Sequence, residues 1–190
     1  MPVFEEGTPV KKALKATVWI LAALVVIFIG GGYLLPGEVN LRRQTAINAP
    51  PEKVFALVNG YKRFNEWSPW AELDPKTVYR FEGPETGVGA KMSWASDDPN
   101  VGAGSQVITE QVPNSHVAVD LDFGAMGKSQ STWDLKPEGT GTSATWGFKM
   151  KLEGMMDRWF GLLMERFIGP DYEKGLAKLK ALAEKEAVSG

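Results

Sequence analysis

Residues 16–35 (ATVWILAALVVIFIGGGYLL) run for twenty positions without a charge, the longest such run in the chain. As a helix rising ~1.5 Å per residue, that run matches the ~30 Å apolar core of a bilayer, so a single membrane span is the leading reading. Lys11, Lys12 and Lys15 precede it, as suits a cytoplasmic end under the positive-inside rule. A cleaved secretory signal is the main rival. Signal cores run roughly 7 to 15 residues, however, and Tyr33-Leu34-Leu35-Pro36 lacks the small-x-small pattern that a signal peptidase reads. A buried helix of a soluble core would keep a polar stripe, and this run has none. Gly30-Gly31-Gly32 weakens a helix in water, but in a membrane glycines are tolerated and allow close packing against a partner helix. The expected organisation is a cytoplasmic tail at 1–15, a span at 16–35, a folded domain at 38–186 outside the cytoplasm, and a short tail at 187–190. In a Gram-negative cell that domain would be periplasmic.

The segment after the span is long enough for one domain with a real core. The chain has 21 Lys and Arg and 23 Asp and Glu. Leaving out the three lysines and two glutamates before Ala16, the remainder carries 18 basic against 21 acidic residues. This mildly acidic domain lacks the basic excess that phosphate binding requires, so nucleic acid is not an expected partner. With no cysteine, disulfides, thiolate metal sites and cysteine nucleophiles are excluded, and no cofactor is implied. One histidine, His116, leaves little for a metal site or a catalytic triad, so no metal site and no catalytic residue are assigned. Asp97-Asp98-Pro99-Asn100 reads as a hairpin turn rather than a calcium loop, because the spacing and the terminal glutamate of such loops are missing.

Beyond the Pro36-Gly37 break, Val39, Leu41, Thr45 and Ile47 alternate as one face of a strand, and Arg43 falls on that same face. A buried charge must be paired or solvated. Arg43 therefore meets an internal carboxylate, is turned outward by a bulge, or receives an anionic ligand group. Pro50-Pro51-Glu52 opens a helix that Gly60 ends, and a second short helix covers 61–67. Six strands separated by Gly, Pro and Asn follow at 76–82, 90–96, 104–112, 116–123, 128–136 and 142–152, the spacing of an antiparallel meander. A final helix spans 155–186, with Phe160, Leu163, Phe167, Tyr172, Leu176, Leu179 and Ala183 expected to form one stripe. Gly169-Pro170 predicts a kink or restart within it, and Gly175 a close approach to its support.

The fold class is α+β: a curved antiparallel sheet of about seven strands around a long C-terminal helix, burying one sheet face and the helix stripe together. Alternate residues assign to that face Tyr79, Phe81, Met92, Trp94, Val119, Leu121, Ser131, Trp133, Trp146 and Phe148. The other alternation carries Arg80, Glu82, Lys91, Asp120, Gln130, Asp134 and Lys149 and is a solvated face. Most of the aromatic face is core by its chemistry. Three large, rigid inward tryptophans also suit the wall of a cavity for an apolar ligand.

Ile47-Asn48-Ala49-Pro50-Pro51-Glu52-Lys53-Val54-Phe55, Trp67-Ser68-Pro69-Trp70, Gly87-Val88-Gly89-Ala90 with Trp94, and Gly169-Pro170-Asp171-Tyr172 through Leu179-Lys180 resemble the START-like SRPBCC superfamily, in particular its polyketide cyclase/dehydrase-like members. The resemblance covers 38–186 and implies a helix-grip fold whose cavity, between sheet and C-terminal helix, takes lipids, polyketides or other hydrophobic molecules. It also places Trp67 and Trp70 near the cavity mouth. The expected ligand-contacting set is Arg43, Trp67, Trp70, Tyr79, Phe81, Met92, Trp94, Trp133, Trp146 and Phe148, with Phe160 and Leu163 on the helix opposite. The expected function is a membrane-anchored binding module for a hydrophobic small molecule or lipid. The alternative is a cyclase or dehydratase in which Arg43, Tyr79 or His116 assist.

Overall fold

A computed structural model describes residues 9–189; the outermost parts of the two expected tails, 1–8 and 190, lie outside it. Helix α1 (Pro9–Leu34) is followed by β1 (Glu38–Ile47), α2 (Pro51–Val58), α3 (Phe64–Trp67) and a 3-10 turn at Trp70–Glu72. Strands β2 (Val78–Glu82), β3 (Lys91–Ala95), β4 (Ala103–Val112), β5 (His116–Asp122), β6 (Lys128–Glu138) and β7 (Gly141–Lys151) come next, and α4 (Met155–Ser189) closes the chain. One seven-stranded antiparallel sheet results, in the order β1-β7-β6-β5-β4-β3-β2. Short turns between β2 and β7 enforce neighbour pairing, while α2 and α3 carry the chain across the inner face from one sheet edge to the other.

The period-two reading holds where strands are regular. Val117, Val119, Ser131, Trp133, Leu135, Ala144, Trp146 and Phe148 are buried together, and Asp120, Gln130 and Lys149 are exposed on the other face. Strand β4 is different, since its register against β5 slips between Ile108 and Glu110. That bulge lets Gln106 and Ile108 point inward while the end of the strand is exposed.

Helix α4 runs through Gly169-Pro170 unbroken, so the expected restart does not occur. What changes there is the face that packs. Tyr172, Leu176, Leu179 and Ala183 are buried, but Phe160, Leu163 and Phe167 are exposed at 63%, 46% and 67%. The expected single stripe is therefore two. From Phe167 to Tyr172 is a step of five residues, which at ~100° each turns the helix face by about 140°. In the first half of α4 the domain is met by Gly161, Met164 and Ile168 instead. At Gly161 a Cβ would run into Leu152 and lie 3.4 Å from Val39 Cγ2.

Small residues set how closely α4 lies on the sheet. A Cβ on Gly175 would stand 2.7 Å from Trp146 Cζ3 and 3.1 Å from Pro69 Cδ, so the expected close approach is made onto an indole. Arg43, on the inner face of β1, bonds Glu173 Oε1 through Nε at 2.9 Å and Glu165 Oε1 through Nη2 at 3.2 Å, with Gly169 against its guanidinium. These carboxylates flank the Gly169-Pro170 step, so one arginine ties both halves of α4 to β1. The pairs raise the Arg43 pKa further, the Glu173 hydrogen bond being the leading cause.

At the other end, α1 is one helix long and apolar enough to cross a membrane, exposed from Val10 to Gly30. Its last turns dock on α4: the Trp159 indole stacks on Phe28 at 5.2 Å and donates from Nε1 to the Phe28 carbonyl at 3.2 Å. A Cβ on Gly32 would stand 2.9 Å from that Nε1 and collide with Met155. The glycines thus expose the helix backbone to its partner, which is α4. Arg158 Nη1 donates to the Tyr33 carbonyl at 3.1 Å, giving one of the orphan carbonyls at the end of α1 a cationic partner.

Candidate ligand-binding site

Between the inner sheet face, the α2–α3 segment and the second half of α4 lies an enclosed space of about 40 Å³. Val58, Tyr61, Phe64, Trp67 and Trp70 close it from the α2–α3 side. Gln106, Val119, Leu121, Ser131, Trp133 and Trp146 form the sheet wall, and Tyr172 comes from α4. A water needs ~10–15 Å³, so the space has room for a few waters at most, whereas ligand pockets run ~300–1,000 Å³. Aromatic rings occupy the rest. Trp133 stacks on Trp146 at 4.7 Å, Trp146 on Tyr172 at 3.9 Å, and Trp67 meets both indoles edge-on at 5.5 and 5.6 Å.

Polar handles hold these rings in place. Trp146 Nε1 donates to Ser131 Oγ at 2.8 Å, and Ser131 Oγ donates to the Gly147 carbonyl at 3.0 Å. Trp67 Nε1 donates to the Leu57 carbonyl at 3.1 Å. Tyr61 is only 4% exposed, yet its hydroxyl has no hydrogen-bond partner among the described residues. Burial pushes its pKa up, and that of Tyr172 as well, with the Ser131 hydroxyl opposing part of the second shift. Both phenols are neutral donors near pH 7.

The lid over this space is the Trp70–Glu72 turn with α3. Trp70 is half-buried and touches Trp146 and Tyr172 edge-on at 5.9 and 6.2 Å. Glu72 is held by Lys174 and Lys178 of α4, each at 2.9 Å, and these bonds, Lys174 first, lower its pKa to about 2. Arg63 pairs with Glu66 at 2.7 Å and with Glu186. The lid is fastened to α4 by the Trp70–Tyr172 ring contact, by the Lys178 ammonium, which also donates to the Ser68 carbonyl at 3.2 Å, and by ion pairs that are individually worth little where exposed.

Of the residues singled out in the sequence, Trp67, Trp70, Trp133 and Trp146 line this space. Phe148 and Met92 are buried beside it without lining it. Trp94 lies toward the other end of the sheet, edge-on to Phe123 at 5.8 Å and bonded to the Val101 carbonyl at 3.3 Å. Tyr79 and Phe81 sit on the edge strand β2, half-buried and exposed. Phe160 and Leu163 are exposed and do not oppose the sheet indoles, because the turn of the helix face at Gly169-Pro170 takes them away. Arg43 is engaged by Glu165 and Glu173, the internal-carboxylate alternative. His116 Nδ1 lies 2.7 Å from Asp134 Oδ1 on the outer sheet face. Sequence reasoning missed Tyr61, Phe64 and Gln106. Tyr61 and Phe64 sit outside the strand alternation, and the β4 bulge obscured Gln106.

A second cavity of about 220 Å³ lies where α1 meets the domain, between β1 and the first half of α4. Pro36, Glu38, Val39, Leu152, Arg158, Leu162 and Glu165 line it.

A sheet gripping a C-terminal helix around a small enclosed aromatic space defines a helix-grip domain. Residues 38–184 match the family described as polyketide cyclase / dehydrase and lipid transport, and the chain belongs to that family. Solved structures of the same fold include a protein from Chromobacterium violaceum, 21% identical with a TM-score of 0.55 over 76% of this chain and 97% of that one. The Aha1 dimer from Colwellia psychrerythraea is 18% identical, with a TM-score of 0.55 over 77% and 96%. The di-domain ARO/CYC protein StfQ of the steffimycin biosynthetic pathway is 13% identical, with a TM-score of 0.59 over 79% of this chain and 52% of that one. A comparison with curated protein sequences gave no match.

Proposed function

We propose that this chain is a membrane-tethered binding module that takes a hydrophobic small molecule or lipid, carrying at least one hydrogen-bonding group, into the space between sheet and α4. The observation that carries this reading is Tyr61, a residue of the mostly apolar wall whose hydroxyl is buried with no hydrogen-bond partner among the described residues. Leaving such a group unpaired costs ~1–3 kcal/mol, and a ligand oxygen would recover it. The conformation described is the closed one. Entry of a larger molecule requires the Trp70 lid to lift, giving up its ring contacts with Trp146 and Tyr172 together with ion pairs that are individually weak. The family's lipid-transport and cyclase members and the aromatic wall support an apolar, ring-bearing or chain-like ligand.

The tether reading is supported by the fit of α1 to α4 through Trp159, Met155 and Arg158, contacts that a cleaved signal would not need. The domain is then extracytoplasmic, with the lysine-rich end of α1 inside. Arg43, Tyr79 and His116 all lie off the cavity wall, which favours binding over cyclase chemistry. Native mass spectrometry of the full chain, extracted in detergent and offered a membrane lipid extract, tests the proposal. An adduct that survives in the wild type and weakens on Tyr61→Phe is expected. Absence of any adduct, in extracts or with added fatty acids and aromatic polyketides, would overturn it.

A further inference from the structure

The first half of α4 has more apolar surface than the domain can use. Gly161, Met164 and Ile168 meet the sheet side, and Met155 and Trp159 meet α1. A third side, Met156, Phe160, Leu163 and Phe167 at steps of four, three and four, is exposed at 50%, 63%, 46% and 67%. It forms one stripe of large side chains, the kind of patch that marks an interaction surface. Around the helix this stripe lies next to the side that meets α1, so the apolar surfaces of the two helices are contiguous.

We infer that residues 155–168 lie in the bilayer interface beside α1, with Phe160, Leu163 and Phe167 in contact with lipid acyl chains. The inference rests on the reading of α1 as a membrane span. Three observations select lipid as the occupant. First, the surface is continuous with a helix whose own residues are exposed from Val10 to Gly30. Second, the depth agrees. Phe28, on which Trp159 stacks, is six residues before the end of α1 at Leu34, about 9 Å along a helix axis, while interfacial helices bury their apolar face ~5–10 Å deep. That is the level at which tryptophan concentrates in membrane proteins. Third, three of the four charges of this half are engaged away from the stripe, and the fourth, Arg166, is exposed seven residues after Trp159, on the side toward α1, with a stem long enough to reach the headgroups. Asp157 accepts from the Gly154 N–H at 2.8 Å, Arg158 donates to the Tyr33 carbonyl at 3.1 Å and Glu165 accepts from Arg43 at 3.2 Å. The 220 Å³ cavity beneath this segment, bordered by Leu162 and Arg158, then opens at the membrane surface.

The chain has no cysteine, so single substitutions Phe160→Cys, Leu163→Cys and Phe167→Cys can each carry one nitroxide label at an exposed position that folding does not need. The full chain, reconstituted in phosphatidylcholine–phosphatidylglycerol nanodiscs, is compared with Val25→Cys in α1 and Asp120→Cys on the outer sheet face. Labels at 160, 163, 167 and 25 are expected to collide with oxygen and be shielded from a water-soluble nickel chelate by at least about threefold relative to 120. Nickel-accessible labels at 160–167 with a shielded label at 25 would overturn the inference and leave the span standing. A nickel-accessible label at 25 would overturn both. Spin–spin broadening, or exclusion of both collision partners at 160–167, would assign the stripe to a second copy or another protein and equally overturn it. Should a labelled variant fail to fold, quenching by brominated lipids of the wild type against Trp159→Phe gives the same answer. A Trp159 component that is not quenched, with Trp19 quenched, would count against the inference.

Discussion

Tyr61 and Trp146 show how single residues decide what the enclosed space can do. The buried Tyr61 hydroxyl has no hydrogen-bond partner among the described residues, so Tyr61→Phe should raise stability by about 1 kcal/mol while lowering ligand affinity roughly tenfold. Thermal unfolding and ligand titration on the same samples would check both, and a loss of stability would show the hydroxyl to be satisfied. Gly175 is set by Trp146: Gly175→Val puts new atoms where the indole lies and should cost about 1–3 kcal/mol in urea unfolding through overpacking. The tryptophans of β6 and β7 were legible in the sequence because a regular strand alternates. Tyr61 was not: the sequence places it in a short helix over 61–67, whereas α3 begins only at Phe64 and Tyr61 lies in the loop before it, where no period marks its direction. Arg43 stood out as a charge on an apolar face, but its partners lie 122 and 130 residues away, beyond any local pattern.

At the level of elements, the proposed binding needs the Trp70–Glu72 turn to move against α4. Glu72 has its pKa lowered from 4.5 to about 2 by Lys174 and Lys178. A depressed carboxylate contributes stability that is fully present above its unfolded value and is lost as pH falls through the folded one. Between pH 4.5 and about 2 the turn should therefore loosen, and Trp70 become exposed, before the sheet unfolds. Iodide quenching of tryptophan emission would follow this, and Glu72→Gln should show the loosened behaviour already at pH 7. The α1–α4 joint depends on a missing side chain: Gly32→Leu should displace Met155 and Trp159. Amide exchange over 155–165 should then rise by tenfold or more while the strands stay protected. Unchanged exchange there would show that the joint tolerates the added bulk.

For the molecule as a whole, α1 and the first half of α4 make one apolar end, and the aromatic space lies toward the other half of α4. If α1 is a permanent tether, the protein recovered from cell membranes should have the intact mass of 20.8 kDa and resist alkaline carbonate extraction. A shorter, carbonate-soluble product would identify α1 as a signal. Only Leu35, Pro36 and Gly37 separate α1 from β1, so a tethered domain would be kept close to the bilayer surface, where an apolar ligand would partition.

Sequence alone determined the seven strands, the long C-terminal helix and the apolar N-terminal helix, because each follows from a local period or a break in one, while the helix grip came from the family resemblance. It also contained the step of five residues at Gly169-Pro170, although the apolar spacing around it is easily read as a single stripe. Only the tertiary structure decided which side of α4 the sheet covers, which carboxylates hold Arg43, and how little space the indoles leave. Periodicity reports that a face is apolar. What lies against that face depends on contacts between segments more than a hundred residues apart, and for α4 those contacts turn one helix into a core element at one end and an exposed apolar surface at the other.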